Sequence, residues 1–252
     1  MIAIISILVA LGFLLLRSGN RMGYYAFVKE DGIAESIQAI CYLLSSFVAI
    51  GVARRLFRVK QTFLGVMFGL FAAGTFLLFG EEISWGQRIV GWESTEYFQQ
   101  SNMQGETNLH NDSRLKGIVH PIGIALGIYM VISSLLQRSF VRRGAKVFTY
   151  FTGEWPVVGF FGIFTAIYVV YEYLNVFIRP WYGFDLILWQ DLEMAESFLT
   201  AGILFWTILK LRSVEKLFGP AALGAAKPAG GQYERPEQRG GVEVSGGNLS
   251  TG

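Results

Sequence analysis

The chain is poor in several things that most folded domains use. It has one cysteine in 252 residues. Cys41 can therefore form no internal disulfide and belongs to no cysteine-pair metal site. It has two histidines, His110 and His120, set neither as HExxH nor as His-x-x-x-His, so no zinc-hydrolase motif is present. Charge is also scarce: 16% of residues are Asp, Glu, Lys or Arg, against about 25% in soluble domains. That depletion excludes an ordinary soluble domain, and no nucleic-acid partner is expected.

Apolar residues take the place of charge, at 52% of the chain. Several stretches of roughly 17 to 22 residues are almost uncharged, the length a helix needs to cross a bilayer. The pattern predicts an all-α, polytopic transmembrane helical bundle over 1–216. Six spans are expected, at about 2–16, 33–53, 62–80, 118–137, 156–178 and 192–211. The first lacks a basic n-region and a small-x-small cleavage site, so it reads as an uncleaved helix. From 217 to 252 the sequence is rich in Gly and Pro and nearly free of large apolar residues, which predicts a disordered tail. Gly65 and Gly69 in the third span, and Gly123 and Gly127 in the fourth, have the spacing that lets helix backbones approach closely, which points to packing within the bundle.

Basic residues cluster in alternate connections: Arg54, Arg55, Arg58 and Lys60, then Arg138, Arg142, Arg143 and Lys146, then Lys210, Arg212 and Lys216. Six crossings put all three clusters on one side. The positive-inside rule makes that side cytoplasmic, with both termini there. The opposite regions, with the helix ends beside them, hold 14 of the 19 acidic residues.

Those acids define the candidate site. "FGEEISWGQR" ends the third span with Glu81 and Glu82 at a helix C-terminus, where the dipole favours cations. Adjacent carboxylates repel, and one can hold a proton or a cation. Glu35 and Glu196 each lie about a turn into a span that opens on Ala-Glu-Ser. Glu172 lies deeper still, with Asn175 on the same face. Ionisable residues inside a span usually face the bundle interior. The candidate acid–base or cation-binding groups are thus Glu81, Glu82, Glu35, Glu172 and Glu196. Trp85, Gln87, Arg88 and Asn175 are candidate substrate-binding residues, and Arg88 is suited to an anionic head group. His110, His120 and Asp191 could join the carboxylates around a divalent metal. Asp191 equally suits a helix N-terminus, and a solvated interfacial cluster would account for Glu81 and Glu82. The outer loop 81–117 is long enough to suggest a functional lid.

"GEEISWGQR" followed by "NMQGETNLHN" resembles the signature of an uncharacterised family of bacterial polytopic membrane proteins. The resemblance implies a bacterial inner-membrane location and no assigned chemistry. The acidic and Ser residues that open helices are also similar to those of alkaline ceramidase and adiponectin-receptor-like membrane hydrolases. The paired histidines of those enzymes' last helix have no counterpart here. Two functions stay open: an enzyme acting on a lipid-linked or amphipathic substrate, and a non-catalytic subunit whose polar cluster holds helices or docks a membrane-protein partner. Membrane lipids are expected partners in either case.

Overall fold

The computed structural model describes residues 2–29, 32–102, 105–109, 111–142, 150–182 and 186–224. Among these residues the fold is all-α, without strands, and six helical spans are long and apolar enough to cross a membrane. In hydrocarbon every backbone N–H and C=O must find its partner within the protein, and a helix does so within one segment. The protein is integral to the membrane on this evidence.

The long helices are α1 (Ile2–Gly19), α3 (Ile33–Arg58), α4 (Thr62–Glu82), α7 (Lys116–Arg142), α8 (Val158–Val169) and α10 (Gln190–Gly224). Shorter ones are α2 (Arg21–Val28), α5 (Gln87–Val90), α6 (Glu96–Ser101) and α9 (Asn175–Tyr182). A π-helical turn, Val170–Leu174, joins α8 to α9 and makes them one span. Two differences from the sequence reading stand out. The link 17–32 contains α2: the Asn20 side chain caps it by accepting the Gly23 N–H at 2.9 Å, while Tyr24 and Val28, one turn apart, are buried against the bundle. Eight residues are too few to show as an apolar run, so only the cap marks this helix in the sequence. At the other end α10 continues past 216 to Gly224. The rest of the expected tail lies outside the described residues.

α3 packs along both α4 and α10, and α8 packs along both α10 and α7. The row α4–α3–α10–α8–α7 bends round without closing, for among the described residues the α4 and α7 backbones hardly approach each other. α1 lies outside this row, against α2 and α8. One end carries Arg55 paired with Glu215 at 2.7 Å and Lys210 paired with Glu154 at 3.0 Å. Lys210 is only 2% exposed and sits over the Trp206 ring, 5.6 Å from its centroid. Its charge is thus inside the protein rather than on the basic surface that the sequence suggested. The described residues of 83–115 lie at the opposite end, where Leu109 bonds Glu81.

The glycine pairs divide. A Cβ on Gly127 would fall 2.2 Å from Thr165 Oγ1, and one on Gly123 would fall 3.2 Å from the Phe164 ring, so this pair seats α7 against α8. Gly65 packs under Phe57, but Gly69 has nothing within 4 Å of its Cβ position. Gly127→Val should therefore destabilise the protein by about 1–3 kcal/mol through overpacking. Gly69→Ala should be neutral or stabilising by up to about 1 kcal/mol through helix propensity. Thermal unfolding in detergent checks both.

Candidate functional site

The end of α4 is built by a left-handed turn. Ser84, Trp85 and Gly86 have φ of 46°, 54° and 81°. Glycine adopts this region freely, but each of the other two costs about 1 kcal/mol or more unless neighbours hold it. The neighbours are specific. The Trp85 ring lies on Gly80, where a Cβ would come within 2.8 Å of it. Trp85 Nε1 donates to Glu81 Oε1 at 2.9 Å, and the Leu109 N–H donates to Glu81 Oε2 at 2.5 Å. Buried Ser84 donates to Glu106 and accepts from Asn108 Nδ2 at 2.9 Å.

The rest of the loop continues this network. Gln87 accepts the Thr107 N–H at 2.8 Å and donates to Ser94 at 2.9 Å. Asn102 Nδ2 reaches the backbone and side-chain oxygens of Asn108 at 2.8 and 2.7 Å. Asp112, also buried, accepts from the Tyr97 hydroxyl at 2.9 Å and the Arg114 N–H at 2.8 Å. Trp85 and Gln87, expected to bind substrate, thus hold the loop by their polar atoms. The Arg88 side chain and His110 lie outside the described residues.

Beneath this loop is a cavity of about 100 Å³, in the space between α4 and α7. Its polar lining is Tyr42 from α3, Glu81 and Glu82 from α4, His120 from α7, Tyr168 from α8 and Glu196 from α10. The Tyr168 hydroxyl donates to Glu196. His120 Nδ1 is hydrogen-bonded to Glu172, which stands in the π-helical turn. Such turns occur frequently at functional sites. Three of the five predicted carboxylates therefore line one cavity, and Glu172 reaches it through His120. Glu35 is buried, 5% exposed, on the α3 face that also carries Gln38 and Tyr42, but it does not line the cavity. Gln38 Nε2 donates to the Glu193 carbonyl at 2.8 Å. Its Oε1 is buried without a hydrogen-bond partner among the described residues.

Two further predicted residues do not line this cavity. Asn175 Nδ2 donates to the Ile187 carbonyl at 2.6 Å, and its Oδ1 accepts the Leu186 N–H at 3.0 Å. It secures the turn before α10. Asp191 accepts from the Tyr24 hydroxyl at 2.5 Å and the Leu188 N–H at 2.8 Å, and pairs with Arg17 at 2.9 Å. It ties α1 and α2 to the start of α10. Among the described residues no three His, Cys, Asp or Glu side chains gather as a metal-binding group.

The sequence reading missed Tyr42 and Tyr168. Helical spacing was the available signal: Tyr42 follows Glu35 by seven residues, and Tyr168 precedes Glu172 by four, which places each pair on one face.

The Arg114 N–H, helped by the Tyr97 hydroxyl, holds the Asp112 carboxyl below its ordinary value. A carboxylate with a depressed folded pKa contributes stability above its unfolded value, about 3.9 for Asp. That contribution fades as pH falls through the lower folded value. The thermal-stability difference between the wild type and Asp112→Asn should therefore be full at neutral pH and shrink towards zero in strong acid. Melting curves of both proteins across pH test this. Comparison of the chain with family models, curated proteins and solved structures returns no match.

Proposed function

We propose that this protein binds, and acts by acid–base chemistry on, the polar part of an amphipathic or lipid-linked ligand that enters between α4 and α7. The observation that carries this is the convergence of Glu82, His120, Tyr168 and Glu196, from four helices, on one cavity at the end of a membrane bundle. Carboxylates and imidazole are costly to place there and are typically functional. With Nδ1 bonded to the Glu172 carboxylate, the imidazole keeps Nε2 as a proton acceptor. Glu82 is the acid or the cation-binding group beside it. The ligand-facing side is the outer membrane face, and the membrane is the bacterial inner membrane, in keeping with the sequence resemblance. Both termini and the connections 54–61 and 138–155 are cytoplasmic on this reading. Membrane lipids are its surroundings and the source of its ligand.

A second reading has its own support. Glu81, Gln87, Asn102 and Asn108 form a hydrogen-bonded scaffold rather than open binding groups. A non-catalytic subunit that docks a membrane partner through this cap would need nothing more.

Glu82→Gln separates the two. Under the ligand reading the variant keeps normal abundance and thermal stability but fails to complement a deletion strain, because Gln retains volume and hydrogen bonding but not the charge or proton. Under the scaffold reading stability falls, by about 3–5 kcal/mol if a buried charge loses its partner. Orientation is tested with Arg142→Cys and a membrane-impermeant maleimide on intact cells. Cys41 is buried, so native background is low. The introduced thiol should label only after the membrane is opened, and labelling from outside would overturn the assigned topology.

A further inference from the structure

A second cavity, of about 240 Å³, lies at the other end of the same helices. Its lining is wholly apolar: Met67, Phe68, Leu70 and Phe71 of α4, Phe151, and Trp206 of α10. On α4, Met67, Phe71, Gly74, Leu78 and Glu82 fall within about 80° of one another around the helix axis. One helix face thus runs from the apolar cavity to the polar one. Gly74 stands between the two, and a Cβ there would meet nothing within 4 Å. This face borders the gap where α4 and α7 fail to pack.

The spacing matches a lipid chain. From Phe71 to Glu82 the helix rises about 16 Å, close to half of the roughly 30 Å hydrocarbon core. A single chain whose head lies at Glu82 would end beside Phe71 and Trp206.

The polar cavity states the sign of the head. Glu81, Glu82 and Glu196 line it beside the rings of Tyr42, Phe164 and Tyr168. His120, bonded to the Glu172 carboxylate, also lines it, and no Lys or Arg does so among the described residues. Carboxylates with aromatic faces are the setting that recognises ammonium ions. An anionic phosphate head would meet repulsion. Gln38 Oε1, on the α3 face of Tyr42, is a buried acceptor without a partner among the described residues, though Gln38 does not itself line the cavity.

We propose that the α4–α7 gap holds one single-chain amphiphile with an ammonium head, its head in the polar cavity and its chain along Gly74 to Trp206. This rests on the reading of the polar cavity as a ligand site and names the ligand class.

The test uses the full chain in phosphatidylcholine nanodiscs with terminally brominated hexadecylamine, whose bromine quenches tryptophan on contact. Trp206 is the buried one of six tryptophans, so a saturable component above bilayer background reports the deep cavity. The wild type should show that component, and Trp206→Phe should remove it. Gly74→Leu should weaken it at least tenfold by filling the open groove. That substitution enters free space in a helix, so the fold should survive it, as a matching melting curve would show. Gly69→Leu, on the opposite face and equally open, should bind as the wild type does. Brominated hexadecyl phosphate should give no saturable quenching.

Wild-type binding by Gly74→Leu, or equal quenching by the phosphate, would overturn the proposal. If Glu82→Gln still fails to complement in that case, the ligand-site reading survives and only the groove or the head group is wrong. Absence of saturable quenching together with full complementation by Glu82→Gln would overturn both.

Discussion

Two carboxylates at the C-terminus of α4 oppose both the helix dipole and each other. Much of the loop end is the structural answer to one of them. Both Glu81 oxygens are occupied, one by the Trp85 indole and one by the Leu109 backbone. Those bonds bring the two ends of the covering loop to the same anchor. The left-handed turn can then exist, because Trp85 is held on Gly80 and Ser84 is bonded from both sides. Glu81 and its neighbour Glu82 both line the cavity beneath the cap.

The bundle is shaped by where helices do not meet as much as by where they do. Gly123 and Gly127 draw α7 onto α8, and α3 joins α4 to α10. Nothing comparable draws α4 onto α7. Van der Waals packing drives helix association in lipid, since lipid tails are as apolar as leucine. A gap between two helices is therefore tolerated when chains from the bilayer can fill it. In this fold α4 borders an aromatic cavity at one end and an acidic cavity at the other.

Length and hydropathy made the six spans legible, because bilayer thickness imposes a minimum run of apolar residues. Side-chain roles were less legible. Glu172 and Glu196 stood out because a charge inside a span is conspicuous, whereas Tyr42 and Tyr168 look like ordinary core aromatics until they are found lining the acidic cavity. Asn175 and Gln87 were read as binding groups because a polar residue near a polar site has that chemistry available. Their hydrogen bonds to backbone add a structural role that residue type alone does not reveal. Asp191 illustrates the same ambiguity: its position before an apolar helix fits a cap, a ligand or an ion-pair partner, and it makes two of those kinds of contact. Helix α2 escaped notice because an eight-residue helix depends on tertiary burial rather than on its own periodicity.

α1 has a different standing from the other spans. Only 6% of its apolar window is buried within the protein. Its specific ties include the Arg17 contacts to Asp191 and the Leu186 carbonyl, the Phe13 ring against Phe27 and Phe198, and the close seat of Ser6 on Gly159. Stability is not uniform within a fold, and a segment with few internal contacts opens as a separate cooperative unit. The surface that receives α1 is made from α2, α8 and the start of α10. Two of those three lie far along the chain from it. The seat of α1 therefore exists only when distant parts of the chain have folded together.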